Sequence, residues 1–231
     1  MTSTTSVFDD YATRAWPFTW HGSLHVETIA GGVPSNEHVA EAWLQSKVAD
    51  KDDLIREQIA TLMAERGITA DEATELADKL RHLNGFKGHS DPKGLCIEGR
   101  QLKAAIKEAA SVAYASGKLL NKGKNSWGRT SKGIHGWVAE HIFVVEDRLY
   151  LGVAEPTGIV QRFVKTYRGT GIQYLEWVED AKIDFTVVTD HDFTPEQWAM
   201  LWLTGEQQGI GASRSQGFGR YSVTRWELAD A

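Results

Sequence analysis

The alternation of apolar and polar positions is sharpest at three places along the chain. "PFTWHGSLHVETI" (17–29) alternates, is rich in β-branched and aromatic residues, and ends at Gly31-Gly32, which predicts a strand closed by a turn. Residues 38–83 predict helices instead. In "DDLIREQIATLMAER", Leu54, Ile55, Gln58, Ile59 and Leu62 fall on one helical face, Gly67 stops the run, and Thr69 with Glu72 three residues on restarts it as a capping box. "LCIEGRQLKAAIKEAASVAYASGKLL" predicts a helix over about 98–116, with Leu102, Ile106, Ala109, Ala113 and Leu120 near helical spacing.

"GKNSWGRTSKGIHGW" is too rich in glycine and polar residues for a regular element and predicts a long basic loop. "WVAEHIFVVEDRLYLGV" predicts a hairpin turning at Glu146-Asp147, and "IVQRFVKTY", "GIQYLEWVE" and "AKIDFTVVTD" predict further strands. "FTPEQWAMLWLTGEQQ" predicts a helix with Thr194 as N-cap, Pro195 at the first helical position, Gln197 at the capping-box position, and Trp198, Leu201 and Trp202 inward. It runs into a glycine-rich segment, "GIGASRSQGFGRY" (209–221), before "RYSVTRWEL" closes as a last strand.

Composition adds that the 231 residues, 42% hydrophobic and 24% charged, are ordinary for a soluble globular protein with a sizeable core. Nine tryptophans are many for this length; the core explains most of them. A single cysteine, Cys96, excludes an internal disulfide or a cysteine zinc site, and with no apolar run long enough to span a bilayer the expectation is cytoplasmic, with no membrane partner.

The net charge of −6 is misleading for a polyanionic partner. Residues 37–80 carry eleven acids and five bases, so the rest of the chain is neutral with twenty of each sign. Residues 109–139 hold no Asp or Glu but do hold Lys118, Lys122, Lys124, Arg129 and Lys132. Such a local basic stripe matters more for nucleic acid than global charge.

Of the candidate chemistries, several fail on spacing. The glycine run follows a predicted helix and opens a strand, and position 214 is Arg, so it is no dinucleotide fingerprint; the P-loop Gly-Lys-Ser/Thr is absent. His21 and His25 share a strand face but have no third ligand at supporting spacing, so no metal or cofactor is assigned. No nucleophile-elbow pattern marks a serine.

The predicted element order, with its insertions set aside, is βαββαβ, an α+β ferredoxin-like plan. Two segments resemble one family. "GEQQGIGASRSQGFGRY" is similar to the glycine-rich loop of the RAMP superfamily of CRISPR-associated RNA-binding proteins. "LCIEGRQLKAAIKEAA" resembles that superfamily's Ile-Pro-Gly-Ser-Ser-Leu-Lys-Gly-Ala segment: Ile97, Gly99, Leu102, Lys103 and Ala105 match, while Glu98, Arg100, Gln101 and Ala104 depart from it. That segment occurs in the backbone subunits that polymerise along guide RNA, the branch this chain resembles most.

The resemblance implies a single RAMP-like domain over 1–231, with an acidic helical insertion at about 37–83 and a basic, thumb-like loop at about 117–136. It implies a subunit that binds single-stranded RNA and self-assembles along it, with other effector subunits as further partners. The implied RNA-binding residues are Gly209, Gly211, Ser213, Arg214, Ser215, Gln216, Gly217, Gly219 and Arg220 in the glycine run. Arg100, Lys103 and Lys107 lie at the helix start, and Lys122, Lys124, Trp127, Arg129 and Lys132 in the basic loop. The physical chemistry agrees: glycines let backbone approach phosphates without a Cβ, and hydroxyls, Arg and Lys hold a strand without reading its sequence. A solvated loop remains the other reading of 117–136.

Some backbone subunits of this family cut RNA with an aspartate after the first strand, but between Asp10 and Asp50 only Glu27, Glu37 and Glu41 occur. Nothing singles out His21, His25 or His38 as a general base. Binding without catalysis is therefore the expectation, with a guide-RNA-processing endoribonuclease or a small-ligand-binding ferredoxin-like protein as alternatives.

Overall fold

The structure is a computed structural model describing residues 16–34, 51–81, 83–115, 133–166 and 169–229. The elements in order are β1 (Phe18–Ala30), β2 (Val33–Pro34), α1 (Lys51–Arg66), α2 (Ala70–Arg81), β3 (Leu83–Gly85), β4 (Cys96–Glu98), α3 (Gly99–Ala115) and α4 (Gly133–His141). They continue as β5 (Ile142–Val144), β6 (Arg148–Tyr150), β7 (Gly158–Thr166), β8 (Gly169–Thr189), α5 (Pro195–Gln208) and β9 (Tyr221–Leu228). The fold is mixed α and β. Among the described residues no helix is long and apolar enough to cross a membrane.

The chain divides into two compact units, one drawn from 1–29, 96–153 and 179–231, the other from 30–95 and 154–178. In the first, strands lie in the order β9-β1-β8-β5. β1 pairs antiparallel with β9 from Trp20↔Leu228 to Val26↔Tyr221, and β5 antiparallel with β8 from Ile142↔Thr189 to Val144↔Val187. Side-chain contacts from His21 to Thr186, Ser23 to Asp184 and His25 to Asp180 descend β8 as they ascend β1, so these strands are antiparallel too. β4 and β6 form a separate small ladder.

Alternation decides which face is covered. Gly22, Leu24 and Val26 of β1 and Ala181, Ile183, Phe185, Val187 and Thr189 of β8 are buried, with α3 and α5 packed on each other in the same unit. On α3 the buried residues include Leu102, Ile106, Ala109 and Ala113 of the predicted face, while Leu120, its fifth member, lies outside the described residues. Trp198 of α5, only 1% exposed, lies 4.7 Å from Trp226, which stacks on Trp20 at 5.4 Å, so these tryptophans build the core. Gly22 is glycine for a steric reason: a Cβ there would sit 2.3 Å from the Phe185 ring.

Three predicted elements come out differently. Residues 133–141, expected as loop and hairpin, are helical, because Ile134, Trp137 and Val138 recur at helical spacing and are buried. The expected hairpin around Glu146-Asp147 is absent, since β5 pairs with β8 and β6 with β4. The two strands expected at 171–179 and 181–190 are one strand, β8, with Asp180 at φ 54 inside it.

The second unit holds β2 antiparallel to β3, β3 parallel to β8, and β7 antiparallel to β8 from Gly158↔Trp177 to Thr166↔Gly169. α1 and α2 pack through Leu62, Ala73 and Ala77 with Ile59 and Ile68. The predicted capping box is formed: Glu72 N–H donates to Thr69 Oγ1 (3.4 Å), and the Thr69 N–H and hydroxyl donate to the Glu72 carboxylate (2.9 and 2.8 Å). Those bonds hold Glu72 below its ordinary pKa.

Glu176, 5% exposed, accepts the buried Phe86 N–H at 3.0 Å and meets His89 Nε2 at 3.0 Å. Glu176→Ala strands that amide, which costs about 1–3 kcal/mol. The expected result is a fall in melting temperature that Glu176→Gln, which keeps an acceptor oxygen, largely avoids; equal melting of parent and Ala variant would rule the bond out as a support.

Candidate nucleic-acid interface

Helix α5 ends where Gly209 takes φ 76 and its N–H donates to the Gly205 carbonyl at 2.8 Å. The chain then folds back on itself. Ile210 N–H donates to the Gly219 carbonyl (2.8 Å), Gly219 N–H to the Thr28 carbonyl of β1 (2.6 Å), and Ile210 and Phe218 are buried. Between them Gln216 N–H reaches Ser213 O and Gly217 N–H reaches Arg214 O, closing one 3₁₀ turn over Arg214–Gln216. The run is therefore a tethered turn, and the amides of 209, 210, 216, 217 and 219 are engaged inside the protein.

All four glycines of the run have positive φ, but they divide by surroundings. A Cβ on Gly219 would lie 1.9 Å from the Ile210 carbonyl oxygen, and one on Gly209 would lie 2.8 Å from the Gly219 oxygen. Gly217 faces open space. Gly209 and Gly219 thus close the turn, whereas Gly217, with exposed Ser215 and Gln216 and part-exposed Gly211, Ser213 and Arg214, presents its tip.

Arg214 reaches back from that tip. Its Nη1 lies 2.7 Å from Glu108 Oε2 on α3 and 3.5 Å from the Gly209 carbonyl. Beside this ion pair a groove of about 390 Å³ is lined by Ala104, Lys107, Glu108, Ser111, Val112 and His135, among others. The ion pair thus joins the glycine turn to α3, and Lys107 lines the adjoining groove together with Glu108.

The other candidate cations are placed differently. Gly99 opens α3 against the turn before β6, donating to the Asp147 carbonyl at 2.9 Å, and a Cβ there would meet the Glu146 carbonyl oxygen. Arg100, next to it, bonds Glu98 through Nε at 2.6 Å. Lys103 sets its ammonium 3.7 Å over the Phe143 ring, and burial, with repulsion from Lys107, lowers its pKa. Arg220 is exposed. Lys122, Lys124, Trp127, Arg129 and Lys132 lie outside the described residues.

The sheet face of the first unit that no described element covers is unlike this edge. It carries His21, Ser23 and His25 of β1 among Asp180, Asp184, Arg225 and Glu227; Asp180 and Asp184 are 78% and 79% exposed. Phosphates meet repulsion there. His21 and His25, the pair sequence spacing singled out, contact Thr186 and Asp180.

A second constellation escaped the sequence reading. Ile142 pairs with Thr189, and continuing that antiparallel register by one residue sets His141 opposite Asp190. Asp190 accepts from His141 Nδ1 at 2.7 Å and from His191 Nδ1 at 2.8 Å. Trp137 lies against both rings, at 4.6 and 5.2 Å, and Phe193 at 6.3 Å from His191. Burial raises the Asp190 pKa, but hydrogen bonds from His191 and His141 outweigh it and hold the carboxyl below its ordinary value. "AEHIF" and "TDHDF" are unremarkable apart, and only the strand register connects them.

No protein-family model matches this chain, and no curated protein sequence does. Solved structures similar to it include a chain of the type III-B Cmr-β complex bound to cognate target RNA, at 10% identity and a TM-score of 0.46 over 96% of this chain and 64% of that one. This chain thus spans less than two thirds of that chain's length. A chain of a type IV-B CRISPR complex is similar at 8% identity and 0.41, over 92% and 91% of the two chains. Cmr6 from Pyrococcus furiosus is similar at 11% identity and 0.37, over 88% and 96%.

Proposed function

We propose that this protein is a non-catalytic, RAMP-type RNA-binding subunit that holds single-stranded RNA and assembles side by side along it, in a CRISPR-type effector or a free-standing relative. The observation that carries the reading is the Arg214–Glu108 contact: the glycine turn and α3, the two segments with family-like sequence, adjoin, with Lys107 beside them. The strand order β9-β1-β8-β5 with α3 and α5 supports a ferredoxin-like reading of the first unit. In this reading RNA runs along the turn's tip and the α3 groove, away from the carboxylate-lined sheet face. The basic segment at about 117–136 acts as a thumb against it, and α1 and α2 form an inserted contact surface for a neighbouring subunit.

Because the contacts are charges and hydroxyls, binding is indifferent to base sequence and steep in salt. The test is a titration of fluorescent single-stranded RNAs of several lengths and sequences at rising salt, followed by sedimentation. Affinity should fall steadily with salt, the number of subunits per RNA should grow with RNA length, and the RNA should be recovered intact. Salt-independent affinity removes the phosphate-binding reading, and one subunit on every length removes the assembly.

A further inference from the structure

We propose that His141, Asp190 and His191 form a binding site for a divalent transition-metal ion of the zinc class, held by Nδ1 of each histidine and one carboxylate oxygen of Asp190. Three observations lead there. The donor atoms of the three residues lie within 4.8 Å of one another, close enough for one ion to reach all three. Both imidazoles aim the same nitrogen, Nδ1, at the same carboxylate, so each ring needs only to carry its proton on Nε2 to turn a lone pair inward. The group is also fixed before any ion arrives: the β5–β8 ladder sets His141 beside Asp190, Trp137 packs on both rings, and the Thr189 hydroxyl holds the His191 carbonyl at 3.0 Å.

The donor set chooses the class of ion. Two imidazoles and one carboxylate suit zinc, cobalt or nickel, whereas magnesium and calcium take all-oxygen sites. One carboxylate neutralises half the charge of a divalent ion. With side-chain exposures of 23% for His141, 27% for Asp190 and 39% for His191, water or an anionic oxygen has access to the fourth position. Three protein ligands with an open position is the arrangement of a reactive or exchangeable zinc site, not of a closed structural one. The site is independent of the RNA reading, since none of its three residues belongs to the glycine turn or α3.

The experiment is calorimetric titration of zinc sulfate into the metal-stripped full chain, with cobalt as a visible-absorbance reporter of coordination. One zinc per chain is expected, with cobalt bands of a four- or five-coordinate site that zinc abolishes. Losing even a partner behind a ligand typically costs roughly ten- to a hundredfold in metal affinity, so His191→Ala and Asp190→Asn should each weaken zinc at least that much. Asp190→Asn keeps the shape of the side chain, so a folding defect in a histidine variant leaves the test intact. Absence of saturable one-to-one uptake, or uptake unchanged in both variants, overturns the proposal.

Discussion

Gly219→Ala is expected to lower stability by about 3 kcal/mol or more. The left-handed backbone alone costs an alanine about 1–2 kcal/mol, and the added methyl would fall 1.9 Å from the Ile210 carbonyl oxygen, which is backbone and cannot swing away. Relief requires the turn to open, breaking Ile210 N–H to Gly219 O and Gly219 N–H to Thr28 O. At roughly 2–4 °C per kcal/mol for a protein of this size, the melting temperature should drop by about ten degrees. Gly217→Ala is the matched control, since it shares the positive φ but meets nothing within 4 Å; it should lose only the backbone term. Equal losses in the two variants would mean that conformational strain, not closure against Ile210, sets the role of these glycines.

The second large effect is on RNA affinity. Arg214→Glu removes a cation from the turn's tip and places two carboxylates, its own and that of Glu108, where an ion pair stood. We expect binding of a long single-stranded RNA at low salt to weaken by roughly tenfold or more, with the salt slope lower by about one unit for the lost phosphate contact. The exchange Arg214→Glu with Glu108→Arg separates two roles. It restores an ion pair at unchanged net charge but moves the cation from the turn to the helix. Recovery of melting temperature without recovery of affinity would mark Arg214 as an RNA contact, whereas recovery of both would reduce it to a tie between turn and helix.

Much of the fold was legible because local rules and tertiary packing agree. Thr194, Pro195 and Gln197 start α5 as their chemistry predicts, with Gln197 N–H on Thr194 Oγ1 at 3.3 Å, and the alternation of β1 matches its buried face. The departures occur where a long-range partner decides. Glycines at 133 and 136 argued for loop, yet Trp137 and Val138 find a core to enter. The sequence in β8 shows a break at Asp180, but pairing carries the strand through it.

In the candidate site, the glycines and Arg214 were visible in composition, while their division of labour was not. Whether a glycine closes a turn or faces solvent depends on the carbonyl across from it, which sequence spacing does not contain. Glu108 went unnoticed for the same reason, and so did the His141–Asp190–His191 group, which depends on a strand register between segments far apart in the chain.

The pairing of Trp20 with Leu228 has a consequence for biosynthesis. β1 leaves the ribosome first among the described strands, and its lengthwise partner β9 last. In between, Leu24 and Val26 wait on a strand with an unfilled edge, the kind of segment that finds wrong neighbours. Closing a contact across nearly the whole chain is also slow, since the loop entropy is lost before the ladder returns anything. Residues 18–30 are therefore open to wrong neighbours until β9 is made, and a chaperone that shields them over that interval is expected to raise the yield of folded protein.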